Sequence, residues 1–360
     1  MAVSVLPVSD AKTEFVNALY FLPPDEISDL AGLMLKVVAE KSTEGHNFIT
    51  RDELLAFREE KTIIKCPNCN SQEFVRFGIR RGNQYYRCKD CSKTFTSLTN
   101  TFLDYTKKDF LTWQKFIQCM VDGFKLQKTA DRCKISLRTA FVWRHKILDA
   151  LVRNQETQRF TGKVEVDDTL LPVSLKGSRK LRRAPHQRGT PAKKPGTSKE
   201  KVSVVCLIDQ DGRIFSKVTA LGRPSIEDLR QVFDRKFPNK NRKTKFVTDG
   251  DKAYAAFAKE NKFDHIRIVG AMGRQGEHRV QRINGYHKRL KEFLAPFHGV
   301  STKHLNNYLA WFNVVNEKKK NGTDLMKLCI RRPIGTRASG LSKRRARPIM
   351  QRPRRPRRRV

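Results

Sequence analysis

The sequence predicts a multidomain chain in which small helical and cysteine-stapled modules precede an α/β core with a mixed sheet. Three observations carry this. Two Cys-X2-Cys pairs, Cys66/Cys69 and Cys88/Cys91, stand eighteen residues apart. From residue 163 the hydrophobic pattern changes from helical spacing to strand-like alternation. The charge is also uneven, with a formal net of +38 over 360 residues concentrated in two segments.

Residues 1–60 read as a helical N-terminal region. Ser28 to Glu40 carries an apolar stripe, and Thr50 to Glu59 opens on a threonine suited to capping a helix. Residues 62–97 read as a zinc ribbon, because CPNC and CKDC form two knuckles whose four thiolates can close a tetrahedral site. All four ligands come from protein, which makes the zinc structural. Tyr85, Tyr86 and Phe95 are expected to pack its short strands, since a module this small has little other core.

Residues 107–151 read as helices, with LQKTADRC, KIS and LRTAFVWRHKIL spaced as a helix-turn-helix. Ser136 is placed to cap the second helix. Ala140, Trp143, Ile147 and Leu151 fall at core spacing, leaving Arg138, Thr139, Arg144 and Lys146 to face outward and contact DNA. An ordinary helical hairpin would give the same pattern.

The core is expected over residues 163–318. KVEVDD alternates apolar and acidic residues, and VSVVCLID is a buried-type strand. RIFSKVTAL follows across a DQDG turn. Ser225 to Phe237 reads as a helix with a Ser225–Asp228 capping box. A strand (KTKFVTDG), a helix (Lys252 to Glu260), a strand (HIRIVG), and helices over Arg282 to Leu294 and Lys303 to Val315 follow. Three strands, helix, strand, helix, strand, helices is the order of an RNase-H-like core. A basic stretch at 176–201, with ten Lys or Arg and one acid, separates the first two strands and reads as a DNA-binding insertion. Residues 331–360 hold thirteen Lys or Arg and no acid, a basic disordered tail. Such segments bind phosphate through counterion release.

Composition also excludes function classes. No apolar run is long enough to span a bilayer. The N-terminus lacks a basic region followed by an apolar one, so no secretory signal is expected. The remaining cysteines, Cys119, Cys133, Cys206 and Cys329, are scattered, which suits a reducing compartment. The expected location is the cytoplasm, on DNA.

The chemistry is expected from carboxylates on neighbouring strands. Asp167 lies in the first strand on the side opposite Val164 and Val166, and Asp249 ends the fourth. Such a pair can hold Mg²⁺ or Mn²⁺ for phosphodiester chemistry. A third ligand is expected from the helix RINGYHKRLK. At about 100° per residue, Asn284, His287 and Lys291 fall within about 60° of one another beside an apolar face of Ile283, Tyr286, Leu290 and Leu294. Asn284 can ligate metal and Lys291 can contact phosphate. Asp168, Glu165 and Glu277 are alternative ligands. Asp168 is expected on the opposite strand face from Asp167, in a supporting role.

These residues carry a resemblance. CPNC…YYRCKDCSKTFTSLT, ISLRTAFVWRHKIL, VEVDDTLLPVSLKGSRK, VTDGDKAYAAFAKEN and INGYHKRLKEFLAPFHGVSTKHLNNYLAW occur in this order over residues 62–318. In this the chain resembles bacterial insertion-sequence transposases of the DDE superfamily, from the group with an N-terminal zinc ribbon and an Asp-Asp-Asn(His)-Lys signature. The resemblance implies nicking at the terminal inverted repeats of an element and joining of 3′ ends to target DNA. It implies Asp167, Asp249 and Asn284 as the metal triad, His287 as an alternative third member, and Lys291 as the signature lysine. It further implies double-stranded DNA as partner, a homodimer or higher assembly in the synapse, and a bacterial, nucleoid-associated location. The family commonly has Asp-Glu where this chain has Asp167-Asp168. Two other readings compete: a noncatalytic zinc-ribbon regulator derived from a transposase, and a structure-specific or RNA-directed nuclease on the same fold.

Overall fold

A computed structural model describes residues 21–27, 30, 49–61, 65–80, 82–104, 106–178, 181, 197–233, 236–237, 244–268, 274–275, 278–279, 281–317 and 322–331. The helix expected over Ser28 to Glu40, the tail from residue 332, Glu277, and most of the 176–201 insertion lie outside them. Compactness divides the chain into Met1–Phe48 and Ile49–Val360. In the first unit, residues 24–27 form one helical turn. The second holds every element below.

Helix α1 (Arg51–Lys61) opens on the expected threonine. The Glu53 amide donates to Thr50 Oγ1 at 3.2 Å, and the Thr50 amide donates to Glu53 Oε2 at 2.8 Å, a reciprocal cap. Strands β1 (Phe74–Arg80), β2 (Asn83–Cys88) and β3 (Thr94–Thr96) form an antiparallel sheet in that order. Each cysteine knuckle closes through a left-handed residue, Asn70 (φ 63°) and Ser92 (φ 56°). Its small core holds Cys66, Tyr86, Cys88 and Phe95, with Phe74 against them. Tyr85, expected in this core, instead points to the opposite face, because adjacent strand residues alternate and Tyr86 takes the inward position.

Three helices follow: α2 (Phe110–Val121), α3 (Leu126–Arg132) and α4 (Leu137–Glu156). The Ser136 hydroxyl accepts from the Thr139 amide at 3.1 Å and so caps α4 as expected. Trp113 and Trp143 stack with centroids 3.6 Å apart.

The central sheet has the order β6-β5-β4-β7-β8. Its strands are β4 (Lys163–Pro172), β5 (Lys201–Asp209), β6 (Ile214–Leu221), β7 (Lys245–Thr248) and β8 (Asp264–Arg267). The first three pair antiparallel, while β4, β7 and β8 are parallel, so the sheet is mixed. Strand β5 reads as a continuous apolar run because helices cover both its faces. Val202, Val204, Cys206 and Ile208 enter one cluster, and Val205 and Leu207 enter the other. The DQDG turn is held by buried Asp209, which accepts from the amides of Asp211 (3.0 Å) and Arg213 (2.9 Å).

One face of the sheet packs helices α5 (Ile226–Phe233) and α6 (Lys252–Glu260). Of the residues expected at the end of α5, Lys236 and Phe237 are not helical; its capping box is present, with the Asp228 amide donating to Ser225 Oγ at 3.2 Å. A short hairpin, β9 (Arg274–Gln275) and β10 (His278–Arg279), precedes α7 (Gln281–Leu294). Helices α7 and α8 (Leu305–Glu317) cover the opposite face. Helix α9 (Gly322–Ile330), which sequence reasoning did not assign, buries Leu325, Met326, Cys329 and Ile330 against α2 and α4. Helices α2 to α4 therefore share one core with α8 and α9. No described helix is long and apolar enough to cross a membrane.

This sharing overturns one expectation. Arg144 does not face outward; it is 2% exposed. Its Nη2 donates to the Phe124 carbonyl at 2.8 Å, and its guanidinium lies 5.1 Å from the Trp311 ring centre. The face of α4 that periodicity leaves to solvent is covered by α8, a partner more than 150 residues away in sequence. Lys146 is half-buried and donates to the Asp104 carbonyl at 3.3 Å, so it too is drawn inward. Arg138 is exposed and Thr139 is half-buried. Arg144→Ala is therefore expected to cost about 2–3 kcal/mol by stranding a buried carbonyl. Arg138→Ala should leave thermal stability unchanged and weaken DNA binding. Melting curves and salt titrations of the two variants check this.

Candidate active site

The site is assembled where β4, β7 and α7 meet. On β4, Glu165, Asp167 and Thr169 share the face toward α7, while Val164 and Val166 pack on the other. The Ile283 amide at the start of α7 donates to Glu165 Oε2 at 3.3 Å. One helical turn on, His287 Nδ1 lies 3.7 Å from Asp167 Oδ2. Two strand residues rise about 6.6 Å and four helical residues about 6 Å, so strand and helix stay in step between the two contacts. Glu165 is thus committed to the helix N-terminus, where a carboxylate is favoured.

Asp249 follows the last residue of β7. The parallel ladder pairs Glu165 with Val247, and two residues further along the two strands come Asp167 and Asp249. The nearness has an electrostatic trace. Burial, and then the negative charge of Asp249, push the Asp167 carboxyl up to about 7. Asp249 itself is exposed. The turn after it needs Gly250, which has φ 90° and no room for a side chain beside Arg267. Gly250→Ala is expected to destabilise the protein by about 1–3 kcal/mol, read by denaturant unfolding.

Asp168 sits on the opposite face, as expected. It accepts from Ser203 Oγ at 3.0 Å and from the Tyr254 hydroxyl at 3.2 Å, which ties β4 to β5 and α6. These bonds use the Asp168 carboxylate and leave it a supporting role.

On α7, His287 is buried and Asn284 and Lys291 are exposed, all on one side of the helix. Burial, and then Lys291, push the His287 imidazole down to about 4, so the ring is neutral near pH 7. At 3.7 Å the Asp167 contact is too long for a hydrogen bond. Nε2 of His287 is buried and makes no hydrogen bond among the described residues. The helix is fixed from behind by Tyr286, whose hydroxyl donates to Ser216 Oγ at 2.8 Å in a buried network with Asn313. Spacing along α7 found His287, Asn284 and Lys291. It did not indicate the role of Glu165.

The metal-ligand sets differ in character. The four cysteine sulfurs lie within 4.8 Å of one another, with 3.5 Å between Cys66 and Cys91 and between Cys69 and Cys88. Sulfurs bonded to one tetrahedral zinc at about 2.3 Å would stand about 3.8 Å apart, so the donor set fits. Among the described residues no other trio of His, Cys, Asp or Glu ligands is drawn so close. Asp167 and Asp249 suit a hard cation that keeps water and substrate oxygens as further ligands.

Residues 159–313 match the family described as the ISXO2-like transposase domain. A curated relative, an uncharacterized protein in transposable element ISH50 of Halobacterium salinarum, is 26% identical over 282 residues, covering 76% of this chain and 92% of the relative. Solved structures with some likeness include a pre-cleavage Mos1 transpososome, at 10% identity over 59% of this chain and 76% of that one, TM-score 0.21. The Mos1 strand transfer complex is also 10% identical, over 56% and 73%, TM-score 0.22. The segment that matches the ISXO2-like transposase domain family, residues 159–313, is the one that holds Asp167, Asp249, Asn284, His287 and Lys291.

Proposed function

We propose that this chain is a transposase that binds the terminal inverted repeats of its insertion sequence, nicks DNA at the ends, and joins the freed 3′ ends to target DNA. The observation that carries the reading is the meeting of Asp167 with His287 of α7, beside an Asp249 close enough to raise the Asp167 carboxyl.

In this reading Asp167 and Asp249 hold Mg²⁺ or Mn²⁺, with Asn284 or His287 as the third ligand. Bound there, the metal lowers the pKa of the attacking hydroxyl and neutralises charge on the phosphate and leaving oxygen. The residues of the chain supply position and charge. Glu165 and Tyr286 fix the register of α7, and with it the distance from His287 to Asp167. Neutral His287 has a lone pair to offer metal or water. Lys291, exposed two turns from Asn284, would meet substrate phosphate. Arg138 and Thr139, at the start of the second helix-turn-helix helix, would contact element-end DNA, and the basic stretches would grip its backbone. Zinc held by Cys66, Cys69, Cys88 and Cys91 would shape the ribbon. Synapsis of two ends requires a dimer or higher assembly.

The test is cleavage and strand transfer in vitro on a fragment carrying the element's inverted repeat. The reading expects metal-dependent nicks at the repeat boundary and joined products. Wild-type protein that binds the ends yet never cuts with Mg²⁺ or Mn²⁺ is a regulator. Equal cutting of DNA lacking the repeat marks a structure-specific nuclease.

A further inference from the structure

The ribbon sheet has two unlike faces. Tyr86 and Cys88 turn inward to Phe74 and Phe95. The neighbouring positions turn outward. Val75 pairs with Arg87, Arg87 with Thr94, and Tyr85 with Thr96. Between Arg76 and Ile79 the register slips by one residue, and Gly78 takes φ 84°. This bulge sets Phe77 opposite Tyr85, on the outward face.

That face carries two aromatic rings, each with an arginine against it. The Arg87 guanidinium lies 5.5 Å from the Phe77 ring centre, and that of Arg80 lies 5.5 Å from Tyr85. Phe77 is 40% exposed and Val75 45%. The strand positions sharing this face carry no acid. The inward ring of Phe95, on the other face of the same sheet, is by contrast 4% exposed.

We infer that this open sheet face binds an unpaired DNA strand, with Phe77 and Tyr85 as stacking platforms for two bases and Arg80 and Arg87 as phosphate contacts. The physical reasons are specific to unpaired DNA. A flat ring can stack only on a base that has left its neighbours, and a duplex keeps its base faces covered. The paired arginines supply positive charge beside each platform, which a purely apolar protein partner would not require. The inference goes beyond the proposed transposition reading and does not depend on the chemistry at Asp167.

The experiment measures binding of the full-length, zinc-loaded chain to a labelled single-stranded oligonucleotide and to the same sequence as a blunt duplex. No chelator or added Mg²⁺ is present, and salt is raised so that phosphate contacts are weakened. The Phe77→Ala/Tyr85→Ala variant is expected to lose about tenfold or more in single-strand affinity and to change duplex affinity by less than about twofold. Phe77→Trp should retain single-strand binding. Zinc content verifies that the ribbon is folded. Ultraviolet cross-linking of wild-type protein gives a second reading without any variant, with adducts expected at Phe77 or Tyr85. Equal loss for single strand and duplex would overturn the inference in favour of a duplex contact. Unchanged single-strand affinity, or adducts confined to other regions, would overturn it outright.

Discussion

Replacing Asp167 with asparagine is expected to abolish strand cleavage and Mn²⁺ binding while making the metal-free protein more stable above neutral pH. The folded carboxyl sits near 7 against an ordinary value of 3.8. Between those values the folded chain holds a proton that the unfolded chain has released. The stability this contributes is complete below the lower value and is lost as pH rises through the upper one. At pH 8 the protein must keep a buried carboxylate charged beside Asp249. Asparagine keeps the shape, and can still accept the Asp168 amide that Asp167 Oδ1 accepts at 2.8 Å, but carries no charge. The gain at pH 8 should be on the order of a few kcal/mol, vanishing toward pH 4. Thermal unfolding against pH, with and without Mn²⁺, measures it. Metal should raise the melting temperature of wild type and leave the variant unmoved. A variant less stable than wild type at pH 8 would mean that Asp167 is not held in a charge-averse site.

Cys88→Ser should have the other large effect, confined to the ribbon. Apart from metal ligation, the core of this module is Cys66, Tyr86, Cys88 and Phe95, with Phe74 packed on it. So small a cluster cannot offset the entropy of ordering three strands. Structural zinc in small modules supplies about 10–16 kcal/mol of apparent binding energy at neutral pH. Loss of one thiolate should release zinc, expose residues 65–97 to protease and weaken binding to element ends. The helices and sheet, which have separate cores, should keep their cooperative transition. Zinc analysis and limited proteolysis read the two parts separately. Normal end binding by a zinc-free variant would remove the ribbon from recognition.

Much of this architecture was legible because its signals are local. Cysteine spacing, the Ser136 cap, the Ser225–Asp228 box and the DQDG turn each need only a few adjacent residues. The continuous apolar run of β5 announced a strand covered on both faces. What escaped depends on distant covering elements. Periodicity showed that Arg144 and Trp143 are neighbours on α4, but not that Trp311 would close over the arginine. Tyr85 and Tyr86 are equivalent as sequence, and strand register alone decides which enters the ribbon core. The bulge at Phe77 and Gly78 and the commitment of Glu165 to α7 were invisible for the same reason. At the candidate site, sequence brought forward Asp167, Asp249 and the α7 residues. The contact that orders them is three-dimensional, His287 against Asp167 at 3.7 Å.

In the proposed active site Asp167 and Asp249 share a divalent cation. Anomalous diffraction from crystals grown with Mn²⁺ tests it most directly. A manganese peak within ligand distance of both carboxylates, with His287 or Asn284 completing the set, is the predicted result. Strong peaks elsewhere, with none between those two aspartates at saturating Mn²⁺, would contradict it.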